Sequence, residues 1–284
     1  MARDHFVGKV VWITGASSGI GRSLAFAFAR AGGRLILSAR DRRSLEPVRA
    51  ACGAGSEVRL LPFDLAALDT IPQRAEEALN MWGHVDFMVH NAGVALRGRM
   101  VDTPLRLDQQ IMAINYFGPV VLTKALLPSM LQRQSGCFVV LSSLSGKYGG
   151  PQLSAYSAAK HALHGCFECL RAEVHDQNIQ VTIIIPGFIR TPIVQRALTA
   201  SGAPYGKTLS VYERGMDPDR CAARILRAVA RRKEEAPIGG WELSTLYLKR
   251  FVPGLLNALV RNHPVRLRNR LWRLLSFGIG GHEG

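Results

Sequence analysis

The sequence predicts an α/β protein with a doubly wound parallel sheet and helices on both of its faces. Two observations predict this fold class. Short aliphatic runs alternate with helix-length segments, and polar side chains able to do chemistry stand where those runs end. Runs of Val, Ile and Leu without polar alternation are typical of strands buried on both faces of a parallel sheet. Such sheets bind their ligands at the carboxyl ends of the strands, so a functional site is expected there.

The alternation defines the elements and the domain organisation. The strand candidates are Val10–Thr14, Leu35–Ala39, Val58–Phe63, Val85–His90, Cys137–Ser142 and Val181–Pro186. The helix candidates are Ile20–Arg30, Ile71–Trp82, Leu105–Leu131, Ala155–Asp176 and Pro218–Lys233. After Pro186, closely spaced Gly, Pro, Thr and Ser predict a substrate loop over about 187–215. We expect a single domain over 1–240, followed by a basic amphipathic extension over 241–284.

Charge and cysteine content restrict the partners and the compartment. The 36 Lys and Arg residues exceed the 21 Asp and Glu residues, which gives a formal net charge of +15. Such a surface attracts phosphates, anionic lipids or acidic proteins. Nucleic-acid binding is not expected, because no recognition motif accompanies the charge. The five cysteines are irregularly spaced, and neither a signal-peptide pattern nor a membrane-spanning apolar run is found, so we expect a cytoplasmic protein. The basic extension also allows peripheral membrane contact.

The turn after the first strand is the main cofactor signal. It contains Gly15, Gly19 and Gly21 in the segment TGASSGIG, directly before a helix. Glycines let the backbone turn tightly against a pyrophosphate, and the helix N-terminus offers free N–H groups and partial positive charge. The second strand ends without the carboxylate that would bind the ribose hydroxyls of NAD. Arg40 follows instead and suits a 2′-phosphate, which favours NADP(H).

Four polar residues form the candidate catalytic set. Tyr156 and Lys160 are four residues apart, which places them on one face of a predicted helix. A free phenol has a pKa of about 10, and a neighbouring ammonium lowers it, so that Tyr156 exchanges a proton with a carbonyl oxygen. Ser143 ends a predicted strand, where its hydroxyl can bind the substrate oxygen. Asn115 lies in an apolar helical stretch, where a polar side chain needs a specific partner.

Together these motifs resemble the short-chain dehydrogenase/reductase family over about residues 8–235. The matching features are the glycine-rich turn, Asp64, Asn91-Ala92-Gly93, Asn115, Ser143 at 13 residues before Tyr156, Tyr156-x-x-x-Lys160 and Pro186-Gly187. The resemblance implies a Rossmann fold and hydride transfer between NADP(H) and a ketone or secondary alcohol. We also expect a homodimer or homotetramer.

The resemblance implies a role for each matching residue. Tyr156 is the acid/base, Lys160 lowers its pKa and holds the nicotinamide ribose, and Ser143 polarises the carbonyl. Asn115 holds a water in a proton relay to Lys160. The expected cofactor contacts are Gly15, Ser17, Ser18, Gly19, Ile20, Gly21, Arg40, Asp64, Leu65, Asn91, Ala92, Gly93, Tyr156, Lys160, Pro186, Gly187, Ile189 and Thr191. The expected substrate contacts are Ser143, Ser145, Tyr148, Leu153, Tyr156 and Phe188. At Ser18 the chain departs from the pattern, since some NADP(H)-preferring members have a basic residue there.

The expected substrate surroundings are mostly apolar and predict a bulky hydrophobic ketone or its alcohol. The 142–147 run and the basic extension resemble hydroxysteroid dehydrogenase-like and lipid-ketone-reducing members. Two alternatives stay open. The basic surface also fits a 3-oxoacyl-thioester reductase that receives an acidic carrier protein or coenzyme A. A dinucleotide-sensing binding protein would keep the fold but would not need all four polar residues. His161, His164 and Glu168 lie at helical spacing without further ligands, so no metal site is expected.

Overall fold

The computed structural model describes residues 5–261, and a parallel sheet forms the centre of this part of the chain. Its strands are β1 (Val10–Thr14), β2 (Arg34–Ser38), β3 (Val58–Leu60), β4 (Phe87–His90), β6 (Gly136–Leu141), β7 (Ile179–Pro186) and β9 (Glu235–Ile238). They lie in the order β3-β2-β1-β4-β6-β7-β9. Two short strands, β5 (Leu96–Arg97) and β8 (Leu198–Thr199), pair with each other in parallel outside this sheet.

Helices connect the strands. They are α1 (Gly19–Arg30), α2 (Glu46–Ala51), α3 (Ile71–Trp82), α4 (Leu105–Met112), α5 (Gly118–Arg133), α6 (Ser154–Glu173), α7 (Ser210–Glu213) and α8 (Pro218–Ala230). Helix α1 packs against α2 and α8, α3 against α5, and α4 against α6. From β1 the chain adds β2 and β3 on one side, and it then returns to add β4 and the later strands on the other side of β1. Because the crossovers are right-handed, this reversal places α1 and α3 on opposite faces of the sheet. The expected doubly wound fold is confirmed.

The central strands explain why the aliphatic runs lack polar alternation. Every residue of β1 and β7 is buried, because neighbouring strands flank each of them and helices cover both faces. In the register of the sheet, Val11 lies between Leu35 of β2 and Phe87 of β4. The carboxyl ends of β1, β2, β4 and β6 consequently meet at one edge of the sheet.

The sequence analysis missed the seventh strand, β9. Glu235–Ile238 reads EAPI, a short segment with a charge and a proline. Pairing is observed to β7 alone, and a proline without an N–H group is tolerated on such an edge strand. The predicted ends of the other elements differ by a few residues from the observed ones; β3, for example, ends at Leu60 rather than Phe63.

Between α4 and α5 the chain forms a π-helical turn over Ala113–Phe117. The combined helix Leu105–Arg133 is long and apolar enough to cross a membrane, and 44% of its most apolar window is buried inside the protein. The core helix of a soluble protein can have the same length and apolar composition.

The chain divides into two compact units after Leu243. The short helical turn Trp241–Leu243 belongs to the first unit, whereas the sequence suggested a division after residue 240. The described part of the second unit consists of α9 (Ser244–Phe251) and α10 (Pro253–Arg261). The predicted extension beyond residue 261 lies outside the described residues.

Candidate active site

The backbone between β1 and α1 is shaped for an anion. Gly15 and Gly19 have positive φ angles of 65° and 54°, which side chains other than glycine rarely adopt. A Cβ on Gly15 would lie 2.7 Å from the Cα of Ala92. Ser18 is the N-cap of α1, yet its side chain caps no N–H group, and the first turn contains no acidic residue. The N–H groups of this turn therefore remain available to a phosphate.

Asn91 and Thr14 fasten this turn to the end of β4. The Asn91 side-chain amide donates to the carbonyl oxygens of Thr14 and Gly15, at 2.9 and 3.1 Å. The Thr14 hydroxyl accepts hydrogen bonds from the N–H groups of Asn91 and Ala92, both at 3.2 Å. The Asn91 side chain thus holds the glycine-rich turn in position by binding the backbone of the turn.

The turn forms one wall of a cleft of about 510 Å³ at the carboxyl ends of the strands. Twelve of the expected cofactor contacts line this cleft: Gly15, Ser17, Ser18, Gly19, Ile20, Arg40, Asp64, Leu65, Asn91, Ala92, Gly93 and Thr191. Four others lie behind it. Gly21 is buried in α1, Pro186 ends β7, Gly187 donates to the Ile238 carbonyl, and Ile189 is buried beside Met216. A cofactor contact at these four stays a prediction.

Arg196 is a cleft residue that the sequence analysis missed. It lines the same cleft, and its Nη1 donates to the Ser18 hydroxyl at 3.1 Å. The resemblance left Ser18 without the basic residue that some members carry at that position. Arg196 brings a guanidinium there from a distant loop. That loop has no helical or strand periodicity, so no sequence signal could place it.

Tyr156 and Ser143 lie together beside the cleft. Tyr156 is buried on α6 and packs with Ala95 and Ala197, with Ile193 against the same cluster. Ala95 and Ile193 both line the cleft. The Ser143 side chain lies near enough to the tyrosine hydroxyl to favour its ionised form, and Ser143 Oγ accepts the Ser145 N–H at 3.1 Å. The expected pair of hydroxyl groups is therefore assembled next to the place where a dinucleotide fits.

The protonation of Tyr156 differs from the sequence-based expectation. We expected the Lys160 ammonium to lower the pKa of Tyr156, but the pKa is raised above its usual value. Burial is the main cause and the nearby Tyr212 adds to it, while the Ser143 side chain partly opposes both. The Lys160 ammonium is directed elsewhere: Nζ donates to the Leu141 carbonyl at 2.7 Å and lies 5.8 Å from the centre of the Tyr156 ring. Tyr156 is thus a neutral proton donor in this state.

Burial also acts on Lys160, whose pKa is lowered to about 8. The ammonium and the neutral amine are therefore both accessible near neutral to mildly alkaline pH. Asn115 lies on the π-helical turn and is fully buried. Its amide pairs with the backbone of Val94, donating to the carbonyl and accepting the N–H, both at 2.8 Å. This is the specific partner that the sequence required for Asn115.

Gly93 lies where Asn115 and Lys160 approach each other. A Cβ on Gly93 would lie 2.9 Å from Asn115 Oδ1 and 3.6 Å from Lys160 Nζ. Any side chain at this position would therefore occupy the space between the amide and the ammonium. The structure brings the four candidate catalytic residues to one place beside the cleft.

The expected substrate residues Ser145, Tyr148, Leu153 and Phe188 lie outside the lining of the cleft, and a substrate contact at them stays a prediction. Ser145 lies in the short helical turn Leu144–Gly146, followed by Tyr148, and Leu153 precedes α6. Phe188 packs edge-on against Tyr212, with ring centres 5.1 Å apart. Tyr212 was not predicted, because the four-residue helix α7 that carries it has no periodic signal.

The histidine-rich part of α6 forms a charge network. Ligand atoms of His164, Glu168 and Glu235 lie within 4.8 Å of one another, and Glu235 comes from the unpredicted strand β9. Lys147 Nζ bonds to Glu235 at 2.6 Å, and His164 Nε2 is hydrogen-bonded to the Ser142 hydroxyl at 2.9 Å. The other ring nitrogen, His164 Nδ1, faces the carboxylates of Glu235 and Glu168 at 3.3 and 3.7 Å, and the expectation that no metal binds here stays a prediction.

Comparison with known proteins decides the family. The family model described as short chain dehydrogenase matches residues 9–201. A Drosophila melanogaster protein named dehydrogenase/reductase SDR family protein 7-like is 41% identical over 273 residues, which cover 94% of this chain and 84% of the relative. This chain belongs to the short-chain dehydrogenase/reductase family. It is an oxidoreductase family, and the resemblance found in the sequence is confirmed.

Solved structures of the family share this architecture. A short-chain dehydrogenase from Streptomyces avermitilis is 30% identical with a TM-score of 0.75, covering 96% of this chain and 100% of that one. A metagenomic short-chain oxidoreductase in complex with NADP is 26% identical with a TM-score of 0.69, covering 82% of this chain and 97% of that one. At least one solved relative with this architecture therefore binds a nicotinamide dinucleotide.

Proposed function

We propose that this short-chain dehydrogenase/reductase interconverts a bulky hydrophobic ketone and its secondary alcohol with NADP(H). The observation that carries the proposal is the burial of Tyr156 near Ser143, with the tyrosine packed against residues that line the cleft. The cleft that suits a dinucleotide therefore lies next to a proton donor, Tyr156, and to a second hydroxyl, that of Ser143, which can bind the substrate oxygen. These are the components that carbonyl reduction requires.

The cleft residues fit a dinucleotide. The uncapped N-terminus of α1 suits the pyrophosphate, and Asp64 and Leu65 would lie at the adenine. The Lys160 ammonium would hold the nicotinamide ribose, and Thr191 would contact the nicotinamide end. When bound, the nicotinamide supplies or accepts a hydride.

NADP(H) is favoured over NAD(H) by the charges at the end of β2. Arg40 lines the cleft and suits bidentate binding of a 2′-phosphate. The neighbouring Asp41 accepts the backbone N–H of Arg43 at 2.9 Å, so its carboxylate is engaged in a local turn. Arg196 places a second guanidinium on the same cleft. The solved metagenomic relative in complex with NADP supports this choice.

The chain's own residues manage the proton. Tyr156, neutral because burial raises its pKa, donates its proton to the carbonyl oxygen during reduction. Ser143 donates a hydrogen bond to the same oxygen and holds the carbonyl in place. The Lys160 ammonium, 5.8 Å from the centre of the Tyr156 ring, then stabilises the phenolate through its charge and without a hydrogen bond to it. Asn115 positions the path that returns a proton to Lys160 from solvent. In oxidation the same groups act in the reverse order.

The experiment that tests the proposal measures NADPH oxidation by the purified protein. Steroid, long-chain, acyl-thioester and small hydrophilic ketones are compared, with NADH in parallel. We expect turnover of the bulky apolar ketones with NADPH. Tyr156→Phe should lower kcat/KM by about a hundredfold to ten-thousandfold and leave NADPH affinity, measured by fluorescence titration, unchanged.

Two results would contradict the proposal. Undiminished turnover by Tyr156→Phe would remove the acid/base from the mechanism. Reduction of small hydrophilic carbonyls alone would remove the substrate class. Thermal melting of the variant provides the control, since a phenyl ring fills the same buried space.

A further inference from the structure

Arg97 lies in the short parallel ladder of β5 and β8, beside the candidate active site. Its guanidinium stacks on the ring of Tyr205, with Cζ 5.1 Å from the ring centre. One terminal nitrogen, Nη2, donates to the side-chain oxygen of Gln152 at 3.3 Å. The Nε group is buried without a hydrogen-bond partner. A guanidinium has five N–H donors, so most of its binding capacity is unused within the protein.

The charge of Arg97 has no acidic partner among residues 5–261. The contrast with its neighbour Arg99 is direct. Arg99 is 71% exposed in its side chain and lies 3.7 Å from the carboxylate of Asp102. Arg97 is partly buried and its Nε is fully buried, where a donor without a hydrogen-bond partner costs free energy. A partly buried guanidinium without an acidic partner is well suited to bind an anion.

One packing contact and one electrostatic interaction connect Arg97 to Tyr156. The Tyr205 ring under the guanidinium packs against the cluster of Ala95, Tyr156 and Ala197. Burial raises the pKa of Tyr212, and the charge of Arg97 partly opposes this rise. Tyr212 in turn acts on Tyr156. The charge of Arg97 therefore acts on the tyrosines at the expected substrate site. Arg97 itself lies next to Tyr205 and Gln152.

We propose that Arg97 forms an anion subsite beside Tyr156 that binds a carboxylate or phosphate group of the substrate. The guanidinium offers a planar pair of donors that matches either group bidentately, and the Tyr205 ring holds it flat. This inference rests on the proposed function and narrows its substrate class. The substrate is then an amphiphile, with an apolar body, a ketone or alcohol at Tyr156, and an acidic group at Arg97.

Matched substrates that differ only in charge test the subsite. Oxodecanoic acids with the oxo group at successive positions are compared with their methyl esters, using the full chain and NADPH. The wild type should prefer at least one acid over its ester. Arg97→Met should lower kcat/KM for that acid by roughly tenfold to a hundredfold and change the value for the ester by less than about twofold. Arg99→Met is the matched control and should change neither value.

A binding measurement separates this inference from the proposed function. Calorimetric titration of the NADP+-saturated protein, or of the protein alone if it binds no NADP+, uses decyl phosphate, decanoate and decanol. We expect the two anions to bind more tightly than decanol, with the difference lost in Arg97→Met and partly kept in Arg97→Lys. Comparison of the two anions shows whether phosphate or carboxylate is preferred.

Three results would overturn the anion subsite. The first is equal affinity of the wild type for decanol and for the two anions. The second is an equal loss of kcat/KM for the acid and its ester in Arg97→Met. The third is a higher kcat/KM of the wild type for the ester than for the acid at every oxo position. If no ketone is turned over but the anions bind in an Arg97-dependent way, the subsite stands and the proposed function fails. Melting temperatures of all variants show whether each is folded.

Discussion

The proposed cofactor side of the cleft and the proposed catalytic residues beside it are built in different ways. On the cofactor side the backbone carries the site, with Gly15 and Gly19 at positive φ and free N–H groups at the start of α1. On the catalytic side, buried titratable side chains carry it, and burial shifts the pKa values of Tyr156 and Lys160. At the glycine-rich turn, a substitution is limited by the room for a side chain. At Tyr156 and Lys160, it is limited by the need for a group that exchanges or stabilises a proton. The two sides should therefore fail in different ways when changed.

The largest effect is expected at Gly15. Gly15→Val adds a branched side chain where φ is positive and a Cβ would lie 2.7 Å from the Cα of Ala92. The strain and the overlap together should cost about 2–5 kcal/mol of unfolding free energy, and NADPH binding should be lost as well. Urea denaturation and fluorescence titration check both. Tyr156→Phe should leave both quantities intact, and equal losses in the two variants would break the comparison.

Gly53→Ala is the control for backbone strain alone. Gly53 has a φ of 95°, and a Cβ there would have no atom within 4 Å. It should lose only about 1–2 kcal/mol and keep its affinity for NADPH. A loss as large as that of Gly15→Val would mean that the overlap with Ala92 does not matter.

Arg40 is the exception on the cofactor side, because a side chain rather than the backbone is expected to choose the dinucleotide. Arg40→Ala should raise the Kd for NADPH by roughly tenfold to a hundredfold and leave that for NADH nearly unchanged. Arg30→Ala, at the opposite end of α1, should change neither. An equal loss for both dinucleotides would show that Arg40 does not read the 2′-phosphate.

The catalytic side should respond to pH. Lys160, with a pKa of about 8, is an ammonium below that pH and loses its charge above it, while Tyr156 stays protonated because its own pKa is raised. The kcat/KM for reduction should be level below pH 8 and fall above it, by up to about tenfold per pH unit. Lys160→Arg, which stays charged, should lack this decline. A wild-type profile that rises through pH 8 would contradict the assignment.

The smallest effect on either side is expected from removing the second unit. Glu242 accepts the Phe188 N–H at 2.8 Å and the Gly240 N–H at 2.9 Å, so the substrate loop is anchored by a residue before the division at Leu243. A chain ending at Leu243 should keep its NADPH affinity and its melting temperature within about 2 °C. A chain ending at Gly240 lacks Glu242 and should melt several degrees lower.

Much of the fold could be predicted from residue type and spacing. The strands β1, β4 and β6 are continuous aliphatic runs because neighbours flank them on both sides, and the sequence analysis found them. The glycine-rich turn was recognisable because only glycine fits its backbone. Tyr156 and Lys160 were recognisable from their four-residue spacing together with Ser143 and Asn115.

The remaining parts depend on long-range contacts that leave no local pattern. The edge strand β9 contains Pro237 and so does not look like a strand. Arg196 and Tyr212 reach the site from a segment without periodicity. The sequence also could not predict that the pKa of Tyr156 is raised. This shift depends on burial and on the direction of Lys160 Nζ, and residue spacing shows neither.

The π-helical turn at Ala113–Phe117 makes the position of Asn115 depend on one surplus residue in the helix. A π turn contains one residue more than the α-helical turn it replaces. Successive residues of an α-helix are rotated by about 100°, so if the same residues formed α-helical turns without the bulge, α4 and α5 would be rotated relative to each other by about that angle. The amide of Asn115 could then face Val94, or α5 could keep its packing against α3, but not both. The local irregularity is what lets one continuous helix serve the sheet at one end and the active site at the other.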